Sequence, residues 1–209
     1  MDWNFIFSII TAGSAIIALF QTKSQIQIGN KQHLFDKRVE NFMIFSGLFQ
    51  LYASNRRHFV EYRKDAPELP NDLYFYWLTN NTFLEGISGA IKNPLKEPFH
   101  KEFLIKLEEL KSISIQIKFL FSGEASLELN AFISRYQELL FSMYQYQIIL
   151  NKMSENAEKN RMTLEEAQRS VGEPAQRKEL YVAQDNLEQV YQKLLESQTV
   201  VKIEKQIKL

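Results

Sequence analysis

The chain opens with an uncharged, mainly apolar segment and continues with amphipathic ones. From Trp3 to Phe20 there are eighteen residues without a charged side chain. As an α-helix such a stretch is about 27 Å long, close to the ~30 Å hydrocarbon layer of a bilayer. Trp3 stands at one end, where an amphipathic ring favours the membrane interface, and the apolar run stops at Gln21 to Lys23. The pattern predicts a membrane-spanning helix.

Two other kinds of segment are also apolar. A cleaved signal peptide has a basic start and a small-residue cleavage site, whereas this chain starts Met-Asp-Trp-Asn and leaves the run as ALFQTK. A buried helix of a soluble protein usually shows a polar stripe, and none is visible from Phe5 to Phe20. We therefore favour an uncleaved span. Its representative residues are Trp3, Phe5, Phe7, Ala12, Ala15 and Phe20.

Small residues recur at four-residue spacing within this segment. The pairs are Ser8/Ala12, Thr11/Ala15 and Ser14/Ala18. This spacing permits close pairing of helices in lipid, but small residues are also common in spans that do not pair. The sequence leaves both interpretations open.

Beyond the first segment, apolar residues recur at three- and four-residue intervals, the spacing of one buried helical face. Proline breaks helix interiors, and all five prolines fall in three places: Pro67/Pro70, Pro94/Pro98 and Pro174. No alternating strand pattern is present. The predicted helices cover about 31–64, 73–91, 99–121 and 126–170, and a last helix follows Pro174.

The last helix carries Leu180, Leu187, Leu194 and Val201 at seven-residue spacing. A coiled coil also needs apolar d positions, and the later ones here are Ser197 and Glu204, so packing against the preceding helix is favoured over a dimeric zipper. The sequence thus predicts an all-α protein with an N-terminal transmembrane helix, a cytoplasmic helical bundle and a long antiparallel helical hairpin. The predicted regions are an anchor (1–22), a bundle (23–150) and an extended, coiled-coil-like hairpin (151–209).

The distribution of charge predicts how the span is oriented in the membrane. The net charge is zero, but residues 21–64 hold eight basic side chains against three acidic ones. Because Lys and Arg near a span are retained on the cytoplasmic side, we expect residues 1–2 outside and the main domain in the cytoplasm of a bacterial cell, at its inner membrane. The candidate contacts to lipid headgroups are Lys23, Lys31, Lys37 and Arg38.

Candidate chemistry is sparse. There is no cysteine, no Gly-rich phosphate loop and no nucleophile elbow, and His33, His58 and His100 lie far apart in the sequence. The acids of EFLIKLEEL are typical of a solvated helix face. No catalytic residue, metal site or cofactor is predicted. The basic cluster NRRHF, with Arg56 and Arg57, fits either a solvated face or a phosphate contact.

Two short motifs support a family resemblance. The segments KQHLFDKRVENF and IKFLFSGEASLELNAFI, behind a short N-terminal span, resemble a loose group of uncharacterised bacterial and prophage-borne membrane-anchored helical proteins. The match covers roughly residues 3–150. It implies bacterial origin and an inner-membrane position, and no enzyme activity or ligand.

Together these features predict a non-enzymatic, membrane-anchored helical interaction or scaffold protein. Its expected partners are membrane lipid and either a protein partner or another copy of itself, bound through helices; no nucleic acid is expected. The alternative is a membrane-acting effector or accessory subunit of bacterial defence against phage, in which the small-residue spans assemble and perturb the bilayer.

Overall fold

A computed structural model describes residues 3–60 and 70–207, while the side chains of residues 3–6, 8–12, 59 and 60 lie outside the described part. The described residues form α-helices and one short 3₁₀ helix, with no strand among them, so the predicted all-α class is confirmed. The elements are α1 (Trp3–Val60), α2 (Asn71–Thr79), the 3₁₀ helix (Glu85–Ile91), α3 (Phe99–Leu120), α4 (Glu124–Asn160), α5 (Leu164–Val171), α6 (Glu173–Glu196) and α7 (Thr199–Ile207).

The first helix is longer than the sequence predicts. The two helices expected at 3–20 and 31–64 are one continuous helix, α1, from Trp3 to Val60. The intervening residues QTKSQIQIGN contain no proline and a single glycine, Gly29, so nothing in them stops a helix. The predicted end at Lys64 lies outside the described residues.

Helices α3 and α4 are antiparallel neighbours. Phe103, near the start of α3, stacks on Tyr144 in the second half of α4 with 4.4 Å between ring centroids. Asn130, near the start of α4, donates its side-chain N–H to the carbonyl of Ser114 in the second half of α3, over 2.6 Å. The sequence predicts both ends of α3 and the start of α4 to within two residues, because apolar residues recur there at every three or four positions.

Helix α6 also runs antiparallel to α4. The Tyr146 hydroxyl, late in α4, donates to Glu173 at the start of α6. The Ser197 hydroxyl, just beyond α6, donates to Glu128 near the start of α4, over 2.7 Å. The predicted boundary between the bundle and the hairpin, at residue 150, lies inside α4. Residues on both sides of this boundary contribute to one hydrophobic core. The predicted hairpin is therefore packed along the bundle.

The core is centred on aromatic rings contributed by α1 and α4. Phe132 of α4 lies among three rings of α1, with centroid distances of 5.5 Å to Phe45, 5.7 Å to Phe49 and 6.3 Å to Tyr52. Phe132, Phe45 and Tyr52 are fully buried. Leu34, which the periodicity also assigns to this face of α1, is exposed, because the helix joins the bundle only after it.

The predicted helix over 73–91 is wrong as a single element. Helix α2 ends at Thr79, and a turn separates it from the 3₁₀ helix. In that turn the Asn81 side-chain oxygen accepts the backbone N–H of Leu84 over 2.8 Å. Asparagine side chains compete in this way with the regular helix ladder, so TNNT acts as a helix stop despite its apolar surroundings.

The predicted continuation of α4 to residue 170 is also wrong. Helix α4 ends at Asn160, and Arg161 adopts the left-handed conformation. Thr163 then starts α5 with a capping box: its hydroxyl accepts the N–H of Glu166, whose carboxylate accepts the N–H of Thr163. This reciprocal cap satisfies backbone donors that a new helix start leaves free.

The last predicted helix is interrupted as well. Gln198 has a φ of 51° and separates α6 from α7, which changes the helical register. Val201 is consequently exposed and Ile203 is buried in its place.

The residues around this break also bind a carboxylate of α4. Burial raises the pKa of the Glu128 carboxyl, but hydrogen bonds from Thr199 and Ser197 outweigh the effect of burial, so the pKa of Glu128 lies below its usual value.

Candidate functional site

The most distinctive surface of the molecule is the first half of α1, which leaves the bundle. Every residue from Ser14 to Leu34 is exposed. Twenty-one residues of α-helix correspond to about 32 Å of length. We call residues 14–34 the projecting segment. None of the residues in the projecting segment is buried.

Large apolar side chains are concentrated in the N-terminal part of the projecting segment. Ile16, Ile17, Leu19 and Phe20 are each more than half exposed, and Leu19 and Phe20 reach 71% and 70%. The hydroxyl of Thr22, at the end of this run, donates to a backbone carbonyl of its own helix over 2.8 Å. Apolar patches of this kind on a soluble monomer are rare and mark interaction sites.

The span predicted from the sequence falls partly on this segment. Phe7, Ala15 and Phe20 are exposed on α1, whereas the side chains of Trp3, Phe5 and Ala12 lie outside the described residues. Over the side chains that the structure does describe, no helix combines the length and the apolar character that a membrane crossing needs.

The four basic residues predicted to contact lipid headgroups have different surroundings. Lys23 and Lys31 are exposed on the projecting segment. Lys37 pairs with Glu40 over 2.6 Å, and each of these two side chains is about half exposed. Arg38 is the exception, because its guanidinium is directed at the protein backbone.

Arg38 marks the point where α1 joins the bundle. Its Nε donates to the carbonyl of Leu120 over 2.7 Å, and its Nη1 donates to the carbonyl of Gln206 over 3.2 Å. These carbonyls belong to the last residue of α3 and to the last turn of α7. A cation is favourable there because helix C-termini carry partial negative charge and unsatisfied carbonyls. The sequence offers no signal for this contact.

Replacing Arg38 with glutamine is expected to lower the free energy of unfolding by about 1.5–3 kcal/mol, because hydrogen bonds from a charged donor to two helix ends are lost. Denaturant titration followed by circular dichroism measures the change. Arg57→Gln is the matched control, since Arg57 is exposed on the same helix and its loss is expected to cost under about 0.5 kcal/mol. Equal costs for the two variants would contradict this role of Arg38.

Within the basic cluster NRRHF, Arg56 forms an ion pair with another helix of the protein. Arg56 pairs through Nε and Nη2 with the carboxylate of Glu188 on α6. Tyr52 and Gln192 donate to the same carboxylate over 2.9 Å and 2.6 Å. The hydrogen bond to Glu188 raises the pKa of the Arg56 guanidinium. Arg57, by contrast, faces solvent.

The histidines and acids offer no centre for metal chemistry in the described residues. His58 lies against Trp77, with 4.6 Å between ring centroids, and His100 Nδ1 is 2.8 Å from the Tyr144 hydroxyl. Among the residues that the structure describes, no group of three or more His, Asp or Glu side chains is arranged to hold a metal ion.

Comparison with known proteins finds no match for this chain. The chain matches no family model, no curated protein and no solved structure. The resemblance to membrane-anchored bacterial proteins therefore stays a prediction, and functional arguments depend on the surfaces of this chain.

Proposed function

We propose that this protein is a membrane-anchored helical interaction protein, in which the N-terminal part of α1 enters a lipid bilayer and holds the bundle at its surface. The observation that supports this proposal is the exposure of Ile16, Ile17, Leu19 and Phe20 on a segment in which every residue from 14 to 34 is exposed. The proposal also relies on the uncharged sequence from Trp3 to Thr22, which extends beyond the described side chains.

Lipid is the occupant that best fits the chemistry of this segment. An isolated helix is marginally stable in water, and burial of each large apolar side chain contributes about 1.5–3 kcal/mol. A partner helix would cover one stripe of α1. Ile16, Ile17, Leu19 and Phe20 lie within about 160° of one another around the helix axis, and Phe7, which is also exposed, lies on the opposite side. A bilayer surrounds a helix on all sides and therefore accommodates this distribution.

The charges beyond the apolar run support an orientation. Lys23 and Lys31 are exposed on the projecting segment, where each can add about 1 kcal/mol on anionic lipid. Asp2 is the charged side chain before the run. We infer a single-pass anchor with the bundle on the cytoplasmic side of a bacterial inner membrane.

The bundle would then present surface to a protein partner. Ile115 and Phe119 lie one helical turn apart on α3, and Phe119 is 83% exposed. We place the protein contact there, since exposed aromatic side chains are typical anchors of interfaces.

Introducing two carboxylates into the apolar run tests the anchor. We expect the full chain to stay with membranes after carbonate washing and the Ile16→Asp/Ile17→Asp variant to move to the soluble fraction. A charge at the centre of a span costs about 2.5–3.5 kcal/mol. Immunoblotting of the two fractions gives the partition directly.

A matched variant separates anchoring from general damage. Ile115→Asp/Leu127→Asp places the same charges at exposed apolar positions of the bundle, and we expect it to remain with membranes. Recovery of the unaltered chain in the soluble fraction, or retention of the Ile16→Asp/Ile17→Asp variant in the membrane, would overturn the proposed anchor.

A further inference from the structure

A basic pocket lies on the bundle between the loop that precedes α3 and the second half of α4. Its volume is about 390 Å³. Three lysines line it, Lys92 and Lys96 from the loop and Lys152 from α4, together with one acid, Glu155. Within the described residues none of these lysines forms an ion pair. Three lysines and one glutamate give the lining of the pocket a net charge of +2.

The loop is held in one conformation by a buried hydroxyl. The Tyr144 hydroxyl, on α4, accepts the backbone N–H of Leu95 over 2.7 Å and is 2.8 Å from Nδ1 of His100. The backbone N–H of His100 donates to the backbone carbonyl of Lys96 over 2.9 Å. These bonds hold the loop backbone at Leu95 and Lys96 against α4, so the loop side of the pocket has a defined backbone conformation.

Leu95 adds a strained and apolar element to the same pocket. Its φ is 66°, in the left-handed region that glycine prefers, and its side chain is 60% exposed. Residues in such conformations cluster at binding sites. Ile148 of α4 also lines the pocket, so the lysines border an apolar wall.

We propose that this pocket binds a small phosphate-bearing molecule of about mononucleotide size. The lysines supply point charges for phosphate oxygens, and Leu95 and Ile148 supply the surface for an apolar or planar part of the ligand. Pockets for small molecules combine an apolar wall with a few convergent polar groups in this manner, at volumes from about 300 Å³ upward.

The position of the pocket makes this site independent of the anchor. Arg38, where α1 joins the bundle, contacts the end of α3 near the start of α4, whereas Lys152 lies in the last quarter of α4. The two points are separated by about 40 Å of helix. A ligand would therefore come from the surrounding solution and not from the headgroups beside the projecting segment.

Calorimetric titration of the full chain in mild detergent tests the proposal, with ADP and inorganic pyrophosphate as probes. We expect both to bind, and the Lys92→Gln/Lys96→Gln/Lys152→Gln variant to bind each roughly tenfold or more weakly. The matched control, Lys111→Gln/Lys118→Gln/Lys202→Gln, removes three exposed lysines elsewhere and is expected to change affinity less than about twofold.

Leu95→Gly tests the apolar wall separately. Glycine adopts the φ of 66° without strain, so the loop is expected to keep its shape while the side chain is lost. We expect ADP binding to weaken roughly fivefold and pyrophosphate binding to stay within about twofold. Absence of binding by both probes, or unchanged affinity in the triple lysine variant, would contradict the proposed binding site. Unchanged ADP affinity in Leu95→Gly would contradict the proposed contact between the ligand and the apolar wall. Neither readout depends on whether α1 enters a bilayer.

Discussion

Replacing Phe132 with alanine is expected to lower the free energy of unfolding by about 3–5 kcal/mol, the largest effect among the single substitutions considered for this protein. Phe132 is fully buried, and its ring contacts Phe45, Phe49 and Tyr52 of α1 and Tyr136 of its own helix. The loss combines the transfer free energy of the ring with the cost of a cavity that four neighbouring rings cannot close. Guanidinium titration of the full chain in detergent, followed by circular dichroism, measures it.

The same substitution at an exposed phenylalanine provides the control. Phe119 on α3 is 83% exposed, so Phe119→Ala is expected to change stability by under about 0.5 kcal/mol. Comparable losses in the two variants would mean that the core is not centred on Phe132. Because Phe132 joins α4 to the bundle part of α1, its replacement is also expected to loosen the attachment of the projecting segment.

Replacing Glu188 with glutamine is expected to lower the free energy of unfolding by about 2 kcal/mol at neutral pH, because the half-buried guanidinium of Arg56 loses its charged partner. The Glu188 carboxylate also accepts hydrogen bonds from Tyr52 and Gln192, so one side chain joins α1 to α6. The measurement is a denaturant titration at neutral pH. Glu196→Gln, at an exposed position of the same helix, is the matched control with an expected change under about 0.5 kcal/mol.

The effect of Glu188→Gln is expected to depend on pH. Burial raises the pKa of Glu188, but hydrogen bonds from Arg56, Gln192 and Tyr52 outweigh burial, and the pKa in the folded protein lies below its usual value. Its contribution is therefore complete above the unfolded pKa of about 4.3 and is lost as the pH falls through the lower folded value. The stability difference between the natural chain and the variant should shrink as the solution is acidified. A difference that stays constant down to about pH 3 would contradict an ionised Glu188 as the source.

The projecting segment and the basic pocket lie towards opposite ends of the bundle. The projecting segment leaves the bundle where α3 ends, and the basic pocket lies beside the second half of α4. A bundle anchored through α1 would therefore hold the pocket away from the bilayer, in contact with soluble ligands. This arrangement suits a membrane-attached protein that senses or recruits a small anion.

Helix positions were predictable where apolar periodicity decides them. Helix α3 begins at Phe99 and ends at Leu120, within one residue of the range that the sequence predicts. Its inward positions Phe103, Leu107 and Leu110 are buried as the periodicity indicates. Each of these residues gains more from burial than from any local alternative, so the pattern and the tertiary structure agree.

Helix ends were less predictable because short polar contacts decide them. The turn at Asn81 and the new start at Thr163 interrupt segments whose apolar pattern continues. Such side chains bond to backbone groups in a helix or out of it with similar energy. The sequence shows the residues capable of this competition, whereas the packing of the neighbouring helices selects the outcome.

The sequence by itself determined the all-α class, the uncharged first segment and the main apolar faces, because these follow from local periodicity and composition. Only the tertiary structure decided that α1 is continuous and half outside the bundle, that Arg38 contacts the ends of two other helices, and that three lysines share one pocket. Arg38 and Gln206 are 168 positions apart, and Lys96 and Lys152 lie on different elements. Contacts of this kind depend on how helices pack against one another, which the period of a single helix does not encode.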